Sequence, residues 1–310
     1  MSGGARRAVA GVIVAMAVAL AGCAADTPAT EEPPVDEIPV MTGPPGRTLP
    51  LDAYMWTDES YWAMLAATTY IASDCVARFG SSYPAAPPPR DEGSARLDEM
   101  NARRYGLVDL DAAKVHGYRV PRPEPTVDDQ GPFNRAPSFV ISENQRFLLE
   151  GTGFSGYRDG MPMPLDVNGQ PLPDDGCLGE AQRTLAEGAQ PNFRLYNEFS
   201  AKSYDLSSRD SRVVAAVAAW SECMKGKGYT YAGVFDAVED WPEALSPEEI
   251  AAATADVECK IETNLVGIWY AVESAYQRRF IDENAEAFAA QQRYLDNVTR
   301  NAARVLAAAR

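Results

Sequence analysis

With 310 residues, 46% of them apolar, the chain can bury a core of one large domain or two small ones. Its 44 acidic against 28 basic side chains give a formal net charge of −16. That balance argues against nucleic acid, anionic headgroups and anionic wall polymers, and favours cationic partners or none.

The first 22 residues have the proportions of an export signal. Arg6 and Arg7 form a short positive region, and Ala8 to Leu20 is an apolar run without a charge. The run is too short to span a hydrocarbon core, which needs about 20 residues, but fits a signal-peptide core. It ends in Leu20-Ala21-Gly22-Cys23, which resembles a lipobox. Small residues at 21 and 22 would admit a peptidase, and the Cys23 thiol can take a diacylglyceryl thioether. Acyl chains bury about 0.8 kcal/mol per CH₂, enough for stable anchoring when two signals combine. The expected location is therefore the outer face of the cell membrane, and removal of Arg6 and Arg7 would take the charge from −16 to −18.

Residues 24–50 hold seven prolines, five acids, one arginine and no aromatic residue. Such a composition does not offset its ordering entropy, so 23–50 reads as a lipidated cysteine on a disordered tether. The folded part is expected over 51–310.

Four cysteines remain: Cys75, Cys177, Cys223 and Cys259. An even number in an exported chain reads as two disulfides, with three possible pairings. An internal echo favours one of them. Asp74-Cys75 precedes Gly80 and Tyr83, and Glu222-Cys223 precedes Gly228, Tyr229 and Tyr231. Each cysteine closes an amphipathic helix with a glycine five residues on, where a C-cap falls. A second cysteine near a helical stretch follows each, so Cys75–Cys177 and Cys223–Cys259 are the expected bridges. No C-x-x-C occurs to suggest thiol redox chemistry.

The fold class expected is mainly α: an irregular helical domain with long loops, a long C-terminal helix and two disulfides. Trp62, Leu65, Ala66, Thr69, Ala72, Val76 and Phe79 follow the helical period, as do Val213, Val217, Trp220 and Met224. Ser246-Pro247-Glu248-Glu249 is a helix start, with a capping serine, proline at the first position and glutamate at the third. No proline follows up to Ala308, so a long helix with a bend, or two helices in line, is expected, with Gly267 the weak point. Ile281, Phe288, Leu295 and Ala302 repeat at sevens, marking a face for a partner helix or a second copy. Between the helices, 121–137 and 151–176 read as loops, and Asn168-Gly169 allows one short β-hairpin. Alternating strands and helices are missing, which argues against a parallel α/β sheet.

Chemistry is sparse. The one histidine, His116, lies near a helix end and reads as a capping or packing residue. With the thiols paired, no His/Cys zinc site is available. Gly153-Phe154-Ser155-Gly156 is followed by Tyr157, where a nucleophile elbow has glycine. The eight acids between Asp236 and Glu258 match no calcium loop and read as a solvated face plus acids at a helix N-terminus. Trp220, Tyr229, Tyr231, Trp241, Trp269, Tyr270, Tyr276 and Phe280 read as core, and the basic cluster Arg103-Arg104-Tyr105 as a solvated face or a partner to the acidic surface. No catalytic residue, cofactor or metal is expected.

The blocks Asn101–Gly106, Gly176–Ala181, Trp220–Tyr229 and Cys259–Val266 are similar to those of uncharacterised lipoproteins of high-GC Gram-positive bacteria. The likeness would cover most of 51–290. It implies export, lipidation and a helical, cysteine-bridged body, and brings no activity, since that group has none assigned. The expected role is a non-catalytic interaction or accessory protein, partnered by the membrane through its lipid and by an envelope protein. The alternatives are a binder of sugar or small ligands, or a carboxylate-dependent wall hydrolase.

Overall fold

The helical expectation holds in a computed structural model, which describes residues 31–46, 48–84, 100–120, 142–151, 166–167, 169–239, 241 and 244–309. A 3-10 turn, Pro50–Tyr54, leads into α1 (Asp58–Arg78). α1 starts on Thr57, whose hydroxyl accepts from the Ser60 amide while the Ser60 hydroxyl accepts from the Thr57 amide. It stops at Gly80, φ +73°, with the Ser81 amide reaching back to the Val76 carbonyl at 3.4 Å. Then come α2 (Leu110–His116), α3 (Glu143–Glu150), strands β1 (Asp166–Val167) and β2 (Gln170–Pro171), α4 (Gly176–Ala186), α5 (Leu195–Ser208), α6 (Ser211–Gly226) and α7 (Asp236–Glu239). The strands pair antiparallel, Val167 opposite Gln170, as the Asn168-Gly169 turn signal allows. The chain ends in α8 (Pro247–Glu262), α9 (Leu265–Glu283) and α10 (Ala285–Ala308).

Both expected disulfides form. Cys75–Cys177 joins α1 to α4 and Cys223–Cys259 joins α6 to α8, with Cα separations of 5.6 and 5.7 Å. The echo between the two cysteine helices extends further than the motif. Two residues before the cysteine, the Ser73 hydroxyl donates to the Tyr83 carbonyl at 2.7 Å, and the Ser221 hydroxyl to the Tyr231 carbonyl at 2.5 Å. Each serine pins the chain that leaves its helix at a position eight residues past the cysteine.

The largest core lies among α5, α6, α9 and the 3-10 turn: Leu51, Tyr105, Phe199, Trp220, Met224, Leu265, Trp269, Val272 and Phe280 are buried there. A second cluster joins α1, α4 and α10 through Ala67, Leu185, Tyr294, Leu295, Val298 and Ala302. Phe288 of α10 belongs to the first cluster and Leu295 to the second, so one helix stitches the two. This corrects the reading of the heptad face. Phe288, Leu295 and Ala302 are buried and Ile281 half-buried, and the face is covered within the same chain, by the 3-10 turn and α5 at Phe288 and by α1 and α4 at Leu295 and Ala302.

The C-terminal run also differs from expectation. It is broken twice, at Asn264, which takes the left-handed conformation with φ +50°, and at Asn284. Asparagine enters that region more readily than other side-chain-bearing residues. Gly267 is not the weak point. It lies inside α9 because residues 33–46 cross over it, and a Cβ there would sit 2.0 Å from the Pro39 carbonyl oxygen.

That crossing is the second correction. The proline-rich stretch read as free tether is, over 33–46, an extended strap on the body, in one compact unit with the helices. Pro33 and Pro45 are buried and Val35, Pro39, Met41 and Gly43 half-buried, while Pro34, Asp36, Ile38, Val40, Thr42 and Pro44 are exposed. Apart from Glu37, which is also exposed, this is strand periodicity without a sheet. Asn264 supplies the missing ladder: its Nδ2 donates to the Pro39 carbonyl at 2.9 Å and its Oδ1 accepts from the Met41 amide at 3.1 Å. Residues 24–30 lie outside the described residues.

Gly267→Ala tests this placement. Alanine would ordinarily stabilise a helix interior by about 1 kcal/mol. Here it is expected to destabilise and to hasten proteolytic cleavage within 33–46; a gain in stability with unchanged cleavage would refute the close approach.

Candidate functional site

The signal, Cys23 and the Gly153-Phe154-Ser155-Gly156 segment lie outside the described residues. His116 is half-buried as the last residue of α2, at the helix end where it was read as capping or packing. Trp220, Trp269, Tyr276 and Phe280 are core, while Tyr270 is partly exposed and donates its hydroxyl to the Thr48 carbonyl just past the strap. Trp241 stacks on Tyr118 at 6.3 Å and Tyr229 on Tyr231 at 6.4 Å.

The acidic stretch is more than a solvated face. Ser246 caps α8 through the Glu249 amide at 3.1 Å, but the Glu249 side chain turns inward instead of closing a capping box. It takes a hydrogen bond from Arg119 at 2.9 Å and one from the Tyr118 amide at 3.2 Å. About two turns further, Asp256 and Lys260 form a wholly buried pair at 2.9 Å. Asp256 also accepts from the Trp220 indole at 2.9 Å, and Lys260 donates to the Leu107 carbonyl at 2.9 Å. Burial pushes the Asp256 carboxyl up and the Lys260 ammonium down, each offset in part by the other. Glu258 pairs with Lys227 at 2.9 Å nearer the surface.

Arg103-Arg104-Tyr105 requires a correction as well. Arg104 and Tyr105 are not a solvated face but reach in between α5 and α9, to a buried acid and not to the acidic surface, while Arg103 is half-buried against the chain that follows α2. Arg103 donates to the carbonyls of Tyr118 and Arg119, at 2.5 and 2.8 Å. Arg104 forks onto the fully buried Glu273: its Nε is 2.9 Å from Oε2, and its Nη2 bonds both Oε1 and the Ser200 carbonyl. The Tyr105 hydroxyl, the Ser203 hydroxyl and the Gln277 amide complete the shell at 2.9, 2.9 and 3.1 Å. Burial opposes the Arg104 charge, but the hydrogen bonds and charge of Glu273 outweigh it and strengthen proton binding. Burial, reinforced by Glu273, lifts the Tyr105 phenol well above its ordinary range. The guanidinium lies over the Tyr204 ring at 5.3 Å.

The remaining buried acids are also matched. Asp210 is held by Arg212 at 2.7 Å, and Asp52 by Asn101 at 2.9 Å and the Leu49 amide at 3.0 Å. Among the described residues no group of three or more His, Cys, Asp or Glu side chains is placed to hold a metal ion. Among the described residues the buried acids are thus committed to ties within the fold.

What faces solvent is a groove. The chain at 53–57 and the first turn of α1 run beside α10, and two hollows of about 360 and 440 Å³ open between them. Tyr54 lines one and Trp56 the other, while Gln292 and Asp296 line both. Sequence reading missed Gln292 and Asp296, because on α10 they look like an ordinary polar face.

Comparison with protein-family models, with curated proteins and with solved structures finds no match.

Proposed function

We propose that the chain is a lipid-anchored protein of the outer membrane face that acts without catalysis, as an interaction or accessory protein of the envelope. The observation that carries this reading is the conjunction of Leu20-Ala21-Gly22-Cys23, behind a short charge-free apolar run, with four further cysteines that close two disulfides. Disulfides persist in oxidising compartments, so the bridges and the signal point the same way. The non-catalytic part is supported by the closed pairs Glu273–Arg104, Glu249–Arg119 and Asp256–Lys260, which hold carboxylates as structural ties. The likeness to lipoproteins of high-GC Gram-positive bacteria agrees with export and lipidation.

Cys23→Ala is the test. The wild-type chain is expected to take up an alkyne-labelled fatty acid and to sediment with membranes. The variant is expected to lose the label and leave the membrane fraction. A variant that stays membrane-bound and labelled overturns the anchor. In-cell cross-linking of the wild type should then recover one defined envelope protein that the variant fails to recover.

A further inference from the structure

We propose that the groove along α10 is a binding site for a neutral oligosaccharide. Its polar wall runs from Ala285 to Arg300. Fifteen steps at 1.5 Å make it about 22 Å long, the reach of an oligomer rather than of a single small molecule. The two hollows are one site because the Gln292–Asp296 pair lies in both, with Gln292 Nε2 donating to Asp296 Oδ1 at 2.9 Å. That bond uses one donor and one oxygen. It leaves the Gln292 carbonyl and the second Asp296 oxygen as fixed acceptors on the groove floor.

The facing wall is aromatic and rigid. Tyr54 and Trp56 are half-buried, and each is backed by a buried ring: Phe288 at 4.7 Å and Tyr294 at 6.0 Å. Rings held in place from behind bind at little cost in side-chain entropy. A sugar ring presents an apolar C–H face to such surfaces and a rim of hydroxyls that both donate and accept. The groove supplies both kinds of partner, since Arg293 adds donors and Asp282 adds acceptors at one end.

Charge narrows the class. Asp282, Asp296 and Arg293 line the groove with Arg300, whose guanidinium is tied to Glu187 outside it at 2.8 Å, so the groove carries about one net negative charge on a chain of formal charge −16. A cationic peptide would find a stronger field over the rest of the surface, and a polyanion would be repelled on approach. A neutral polyhydroxylated chain is the ligand this wall suits.

The experiment is calorimetric titration of the full mature chain, purified in detergent, with a β-1,4-linked N-acetylglucosamine tetramer. Saturable binding is expected, weakened about tenfold by Asp296→Ala and by Gln292→Ala, each equivalent to about 1.4 kcal/mol. Both positions are solvent-accessible, so unfolding midpoints should match the wild type; Arg293→Ala, wholly on the surface, is the second check on the same groove. Absence of saturation, binding by all three variants as tight as the wild type's, or competition by tetralysine would each overturn the proposal. The measurement does not involve the anchor, so its failure would leave the envelope reading standing.

Discussion

Replacing Glu273 with glutamine is expected to lower the free energy of unfolding by about 3–5 kcal/mol, the usual cost of stripping one member from a buried ion pair. The size follows from what is left behind. Arg104, with only 15% of its side chain exposed, would keep its charge without a counterion. One glutamine oxygen would have to serve donors on Arg104, Tyr105, Ser203 and Gln277 that now share two carboxylate oxygens. Each donor stranded in the interior adds about 1–3 kcal/mol. Because the shell ties the 101–106 segment to α5 and α9, the loss should also loosen that segment, visible as faster amide exchange at 104–106. Urea titration of the oxidised protein checks the magnitude. A change below about 1 kcal/mol would mean that water replaces the carboxylate, and that the site is less sealed than its burial implies.

Removing the Cys75–Cys177 bridge, as the double alanine variant, is expected to cost about 5 kcal/mol, against about 4 for Cys223–Cys259. The two bridges close sequence separations of 102 and 36 residues, and the unfolded chain gains more freedom when the longer loop is released. Burial acts in the same direction. Cys75 and Cys177 are wholly enclosed by Ala72, Val76, Phe79, Leu148 and Leu149, whereas Cys223 is partly exposed. Alanine would therefore also leave a small void in the first case. Denaturant midpoints of the two double variants give the order. A reversed order would show that native-state strain, not loop closure, sets the contribution.

Much of this architecture is legible in the sequence, for local reasons. The period from Trp62 to Phe79, the capping serine before Pro247 and the glycines at 80 and 228 act through neighbours three or four residues away. They give α1, the start of α8 and the ends of α1 and α6 where expected. The disulfide pairing was legible because the two cysteine helices repeat the same exit. The misreadings share a different cause. Proline content hid the alternation of Val35, Pro39 and Met41 against Asp36, Ile38 and Val40, since composition reports entropy and not a trough waiting on another helix. Asn264 looked unremarkable beside Gly267, yet its amide holds the strap while the glycine makes room for it. Arg104 and Glu273 lie 169 residues apart, and no local rule joins them. The heptad of α10 was correctly seen as a packing face, but sequence alone does not say whose helix covers it.

The strap also sets a distance. From Cys23 to Leu51 an extended chain could reach roughly 95 Å, but from Cys23 to Pro33, where the body begins to hold it, only roughly 35 Å. With the lipid on Cys23 as proposed, the domain would hang on a leash about a third as long as its proline-rich stretch suggests. Its sweep would be confined to a thin shell above the headgroups, where a partner embedded in the same bilayer meets it at high effective concentration. Asn264, deep in the sequence and far from the anchor, would then decide how far from the membrane this protein works.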